Sequence, residues 1–157
     1  MNRLLSLRIG WALAAFAFLD LLSAGLGMGV PIFCILLGLP AGWYIARRLA
    51  LRPLDTRHVL SQMLLGAAVT SAFTLAGMAL LWGRSVPMLF DPAADLASFG
   101  VPQILYEPLP SFVGWLVLMI LISPFLQFLM TLFGAHLTLL WCLSTNGGGS
   151  ERTQSAA

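Results

Sequence analysis

Asp20 is the only acid or base between Arg8 and Arg47, and it follows Arg8 by twelve residues of otherwise apolar chain. At 1.5 Å per helical residue that places its carboxyl about 18 Å into a bilayer whose hydrocarbon core is about 30 Å thick. Burial there penalises the charged form, and an intramembrane carboxyl is a candidate functional group by default. Two roles fit. A relay would use the carboxyl to take up and release a proton. A structural bond would use it to hold the first helix to another one, and the carbonyl of Ile120 or the hydroxyl of Ser123 is the expected partner, because Pro124 has no N–H to satisfy Ile120.

Gln127, Thr131, Gly134 and Thr138 recur at spacings of four, three and four, so they share one helical face and can bond or pack across an interface. His136 is nine residues from Gln127, on the opposite side of the same helix. His136 and His58 are the only histidines, too few and too far apart in depth for a haem or metal site. Asp20, Gln127 and His136 are therefore the intramembrane functional candidates. No catalytic, cofactor-binding or metal-ligating set is expected. GxSxG, HExxH and a glycine-rich lysine loop are absent from the sequence, which has no lysine at all. Cys34 and Cys142 are expected in opposite leaflets, as small apolar packers without a disulfide.

The elements that hold these residues follow from where charge is missing. Of 157 residues 59% are hydrophobic and 9% charged, outside the range of soluble domains and of disordered chains. A formal charge of +2 gives no basic surface for nucleic acid. The reading is an all-α integral membrane protein, a single domain over 1–143 with spans at about 4–24, 30–46, 58–82 and 112–143. Gly25 to Gly29 form the first turn, Asp55 or Thr56 caps the third helix, and Gly83 ends it. Phe112 to Leu143 is too long for a straight crossing, about 48 Å, so the fourth helix is expected to kink at Pro124.

Loop 84–111 carries five of the nine prolines. Within it, Asp91-Pro92 and Gly100 bracket an expected short interfacial helix, with Leu96 and Phe99 turned to lipid or to the bundle. The tail 144–157 is expected to be disordered after Asn146-Gly147-Gly148-Gly149. Arg3, Arg8, Arg47, Arg48, Arg52 and Arg57 lie on one side, which puts both termini in the cytoplasm of a multi-pass cell-membrane protein. Asp20 inside the first apolar stretch argues against that stretch being a cleaved signal peptide. The six tryptophans and tyrosines from Trp11 to Trp141 that fall near span ends suit an aromatic belt.

Helix 3 holds Gly66, Thr70, Thr74 and Gly77 on one face, and is expected to be the central packing element. Gly38-Leu39-Pro40-Ala41-Gly42 predicts a kink in helix 2. The arginines of the 2–3 connection can meet anionic headgroups. Functionally the sequence reads as a non-enzymatic accessory or assembly component whose partners are the lipid bilayer and another membrane protein or a second copy of itself. The alternative is a small proton-coupled transporter or channel in which Asp20 titrates.

Overall fold

Apolar stretches of this length must satisfy their backbone groups internally, and the helix does so within one segment. The computed structural model describes residues 9–26, 31–51, 55–100 and 105–154, and every regular element among them is helical. Helix α1 is Ile9–Leu26, α2 is Ile32–Ala50 and α3 is Thr56–Trp82. A 3-10 helix, Gly83–Phe90, prolongs α3, and a single 3-10 turn follows at Ala97–Phe99. Then come α4, Pro108–Val117, a π-turn at Leu118–Ile122, and α5, Ser123–Gln154.

Three stretches are long and apolar enough to cross a membrane: Ile32–Ala50, Arg57–Phe90 and Pro108–Ser144. Helix α1 is shorter, 18 residues or about 27 Å. The glycine turn expected between α1 and α2 lies largely at 27–30, and the start expected at residue 4 precedes Ile9; both fall outside the described residues.

Several element ends differ from the sequence reading, each for a local reason. Pro108 takes the first position of a helix and its missing N–H costs nothing there, so α4 starts four residues before Phe112. The α-helical part of α3 does end at Trp82 with Gly83 as its C-cap, as expected, but Gly83 keeps a right-handed conformation, φ −60°, and the chain continues as a 3-10 helix. Gly147 to Gly149 likewise stay helical, and the tail expected to be disordered is helix as far as Gln154. Pro40 sits inside α2, which runs unbroken to Ala50, beyond the end expected at residue 46.

In the loop, the helix expected from Asp91 shrinks to Ala97–Phe99. Asp91 instead accepts the N–H of Ala93 at 2.9 Å, closing a tight turn, and Asp95 accepts both the N–H and the hydroxyl of Ser98, at 3.2 and 2.6 Å. Gly100 ends the turn as expected, in the left-handed region at φ 80° where a side chain would be strained. Leu96 and Phe99 face the bundle, Phe99 standing edge-on to Phe112 at 5.3 Å.

The tightest seam joins α2 to α5, not α3 to its neighbours. A methyl group on Gly38 would come within 2.7 Å of the Gln127 carbonyl, and one on Gly134 within 2.7 Å of the Leu39 carbonyl; one on Gly42 would overlap the Thr131 carbonyl. These neighbours are backbone and cannot yield. On α3, by contrast, Gly66 and Gly77 face only the side chains of Ile45 and Leu21. The small residues of α3 admit side chains, while those of α2 and α5 admit a backbone.

Two apolar clusters lie at opposite ends of the bundle. One gathers Cys34, Met78, Phe112, Trp115, Leu116 and Met119 beneath the loop; the other gathers Ala46, Met63 and Ala135 at the arginine-rich end. Trp82 and Trp115 are not belt residues, since they pack edge to face at 4.3 Å within the first cluster. At the other end Arg47 lies over the rings of Trp43 and Trp141, at 5.8 and 4.8 Å, tying α2 to α5.

Candidate functional site: a polar layer around Asp20

Between the two apolar clusters lies a layer of buried polar side chains to which every membrane-length helix and α1 contribute. Asp20 of α1 is 2% exposed. Its Oδ2 accepts the hydroxyl of Thr74 from α3 at 2.7 Å, and its Oδ1 accepts the Nε2 amide of Gln127 from α5 at 3.2 Å. The thiol of Cys34 on α2 donates weakly to the Asp20 backbone carbonyl, at 3.7 Å. Asp20 and Gln127, two of the residues singled out in the sequence, thus meet across 107 positions of chain.

The partners differ from those expected. Neither the Ile120 carbonyl nor the Ser123 hydroxyl bonds Asp20 among the described residues. The π-turn explains this: it rearranges the backbone before Pro124, with the Ser123 N–H reaching back to the Leu118 carbonyl. Ser71 of α3 then donates to the carbonyl of Pro124 itself at 2.7 Å, so it is α3 that grips the proline region.

The same turn sets the site's register. Met119, Ser123, Gln127 and Thr131 are all fully buried at successive intervals of four. A regular α-helix gains about 40° in four residues, so three such steps would carry the row about 120° around the helix. The π-turn winds less per residue and offsets part of that drift, between Met119 and Ser123. Thr131 and Thr138 spend their hydroxyls on the carbonyls of Gln127 and Gly134, at 2.8 and 2.7 Å, and so present smooth surfaces to α2.

His136 takes no part. It is exposed on the far face of α5, with its ring Nδ1 against the Leu132 carbonyl at 2.8 Å. Among the described residues no three His, Cys, Asp or Glu side chains stand close enough to hold a metal ion.

The layer has an outer wall. A groove of about 640 Å³ runs between α1, α2 and α3, lined by Phe16, Leu19 and Thr70 among others, but not by Asp20, Thr74 or Gln127. Thr70 separates the two: its side chain lines the groove, its carbonyl is a second acceptor for Thr74 at 3.2 Å, and its hydroxyl folds back on Gly66 and Ala67. Two buried oxygens of the layer, Ser123 Oγ and Gln127 Oε1, have no hydrogen-bond partner among the described residues.

Thr74 and Cys34 are members of this site that the sequence reading placed elsewhere, as packing residues. Thr74 had a signal in its spacing with Thr70, whereas Cys34 had none. No protein-family model, curated protein or solved structure matches the chain.

Proposed function

We propose that the chain is a four-span protein of the cell membrane, with both termini on the arginine-rich cytoplasmic side, that acts without catalysis as an accessory or assembly component. The observation that carries this reading is the disposition of Asp20. Its two side-chain oxygens are both engaged by other helices, and the groove does not reach it, so the costliest group in the bundle is used to bind the helices together.

The surface left for interaction supports the same reading. Phe90 is 82% exposed and Tyr106 fully exposed, both beside the loop that covers one end of the bundle. Exposed aromatic residues at a membrane surface suit a protein partner or a second copy of the chain.

A second reading, a proton-coupled carrier acting through Asp20, draws on the two unpartnered oxygens beside it. One experiment separates them. A photo-crosslinking residue at position 90 or 106, introduced into the wild type and into Asp20→Asn, is activated in intact membranes. The accessory reading expects one discrete protein adduct, unchanged in Asp20→Asn. Absence of any protein adduct, together with ligand-induced proton release that disappears in Asp20→Asn, would favour the carrier.

A further inference from the structure

The groove between α1, α2 and α3 is apolar along most of its length; apart from Thr70, whose hydroxyl is taken up by its own helix, its polar lining is gathered at one end. Phe16, Leu37, Pro40, Leu65 and Val69 form its walls, and Leu65 and Val69 are more than half exposed, so it opens sideways to the surroundings of the bundle. From Leu37 to Arg48 it follows α2 for eleven residues, about 16 Å.

The polar end lies where α2 hands over to α3, and there Tyr44, Arg48 and Gln62 line the groove. The Arg48 guanidinium donates to the Tyr44 hydroxyl at 2.8 Å, which fixes its position without neutralising it. Among the described residues no carboxylate is within ion-pair distance of Arg48. The Tyr44 proton and the Gln62 amide also lack a partner there. Three donors and one full positive charge therefore line the mouth of an apolar channel, with no acceptor supplied by the described residues. A phosphate diester has the complementary chemistry: negative charge and acceptor oxygens, joined to acyl chain.

We propose that this groove holds one phospholipid with a net negative headgroup, an acyl chain lying along α2 and the phosphate received by Arg48, Tyr44 and Gln62. The occupant is a lipid and not free phosphate, because the polar end continues directly into an apolar groove of chain-like length. Ordinary annular lipid would fill the apolar part whatever its headgroup. What selects among headgroups is the charge of Arg48, which a zwitterionic headgroup already balances with its own cation.

The proposal rests on membrane residence, so resistance of the full-length protein to alkaline carbonate extraction is established first, and its failure would count against the location alone. The protein is then reconstituted into nanodiscs of equal parts phosphatidylglycerol and phosphatidylcholine with identical chains, and retained lipid is read by native mass spectrometry. One phospholipid should be retained per chain, with phosphatidylglycerol enriched about fivefold, the weight of one arginine at an anionic surface. Arg48→Gln should abolish the enrichment while lipid is still retained. Arg57→Gln, exposed and outside the groove lining, should preserve it. Ala41→Phe, which fills the groove from its α2 wall, should displace the lipid itself. Retained lipid that mirrors the bulk mixture, or an enrichment that Arg57→Gln removes as fully as Arg48→Gln, would overturn the proposal. Circular dichroism melts of each variant show that it is folded, and Tyr44→Phe, which deletes one donor with little change of shape, provides a further reading if Arg48→Gln does not fold.

Discussion

At the scale of single residues, Thr74 and Gln127 do not lose equally when Asp20 is changed. Thr74 has the Thr70 carbonyl to fall back on, 3.2 Å away, whereas the Gln127 amide has no other acceptor among the described residues. Asp20→Leu is therefore expected to destabilise the bundle by about 1–3 kcal/mol, the cost of leaving a buried amide unpaired, and Gln127→Leu on top of it should restore part of the loss. Asp20→Asn should stay close to wild type, because Asn can accept from Thr74 and donate to Gln127 once that amide is rotated. Thermal melts in detergent of the four variants of the cycle test this; additive losses in the double variant would show that the two side chains are not coupled. Asp95 offers a pH counterpart. The Ser98 hydroxyl, and then its N–H, hold the Asp95 carboxyl below the ordinary carboxylate value. A lowered folded value means that the contribution of this turn is complete above the unfolded value, about 3.9, and is lost as pH falls through the folded one. Exchange protection of the Ser98 amide, corrected for intrinsic rate, should be constant from pH 7 to 5 and fall only below about pH 4.

Elements respond to glycine and to register. Gly38→Ala and Gly42→Ala push a methyl group into the backbone of α5 and are expected to cost about 1–3 kcal/mol each, while Gly66→Ala meets only the end of the Ile45 side chain and should cost less. Gly83→Ala meets nothing within 4 Å, and the helical conformation there suits alanine, so a gain of up to about 1 kcal/mol is expected. Equilibrium unfolding in mixed micelles would rank the four; equal losses at Gly38 and Gly66 would contradict a backbone seam. The π-turn predicts a register effect. Deleting Leu121 together with Pro124→Ala removes the extra residue and its cause, leaving Trp115 and Gln127 on their present faces. Deleting Leu129 within regular α5 turns everything beyond it by about 100°. Near-ultraviolet dichroism of Trp141, which lies beyond Leu129 against Arg47, should survive the first change and be lost in the second.

For the molecule as a whole, what could be read in advance was what depends on charge and local chemistry. Asp20 and Gln127 stand out because ionisable and amide groups are rare in apolar helices, and the three longest helices because charge is confined to their ends. Less could be read where the outcome depends on which helices are neighbours. Gly38 and Gly42 were visible as a small-residue pair, but their partner surface on α5 lies about ninety positions later, and spacing within one helix cannot say which of several small faces will meet. The π-turn was hidden for a related reason. Pro124 announces a disturbance, whereas its form follows from the need to bury Trp115 above it and Gln127 below it on one side. The groove was hidden because it belongs to three helices at once, although the Tyr44 and Arg48 spacing of four was open to view.

The separation of 107 residues between Asp20 and Gln127 is also an interval of time. At about 5–20 residues per second, a ribosome needs about 5 to 20 s to follow Asp20 with the helix that carries its amide partner. During that wait the carboxyl leaves the ribosome on α1, and the glycine seam cannot yet exist, since α5 is not made. The young chain is thus expected to be open to quality control until α5 arrives. In a pulse-chase experiment, chains stopped just before Gln127 should be degraded far faster than full-length protein, and Asp20→Leu should slow that degradation even though it weakens the finished bundle. The residue that holds the mature helices together would then be the one that marks the incomplete chain for removal.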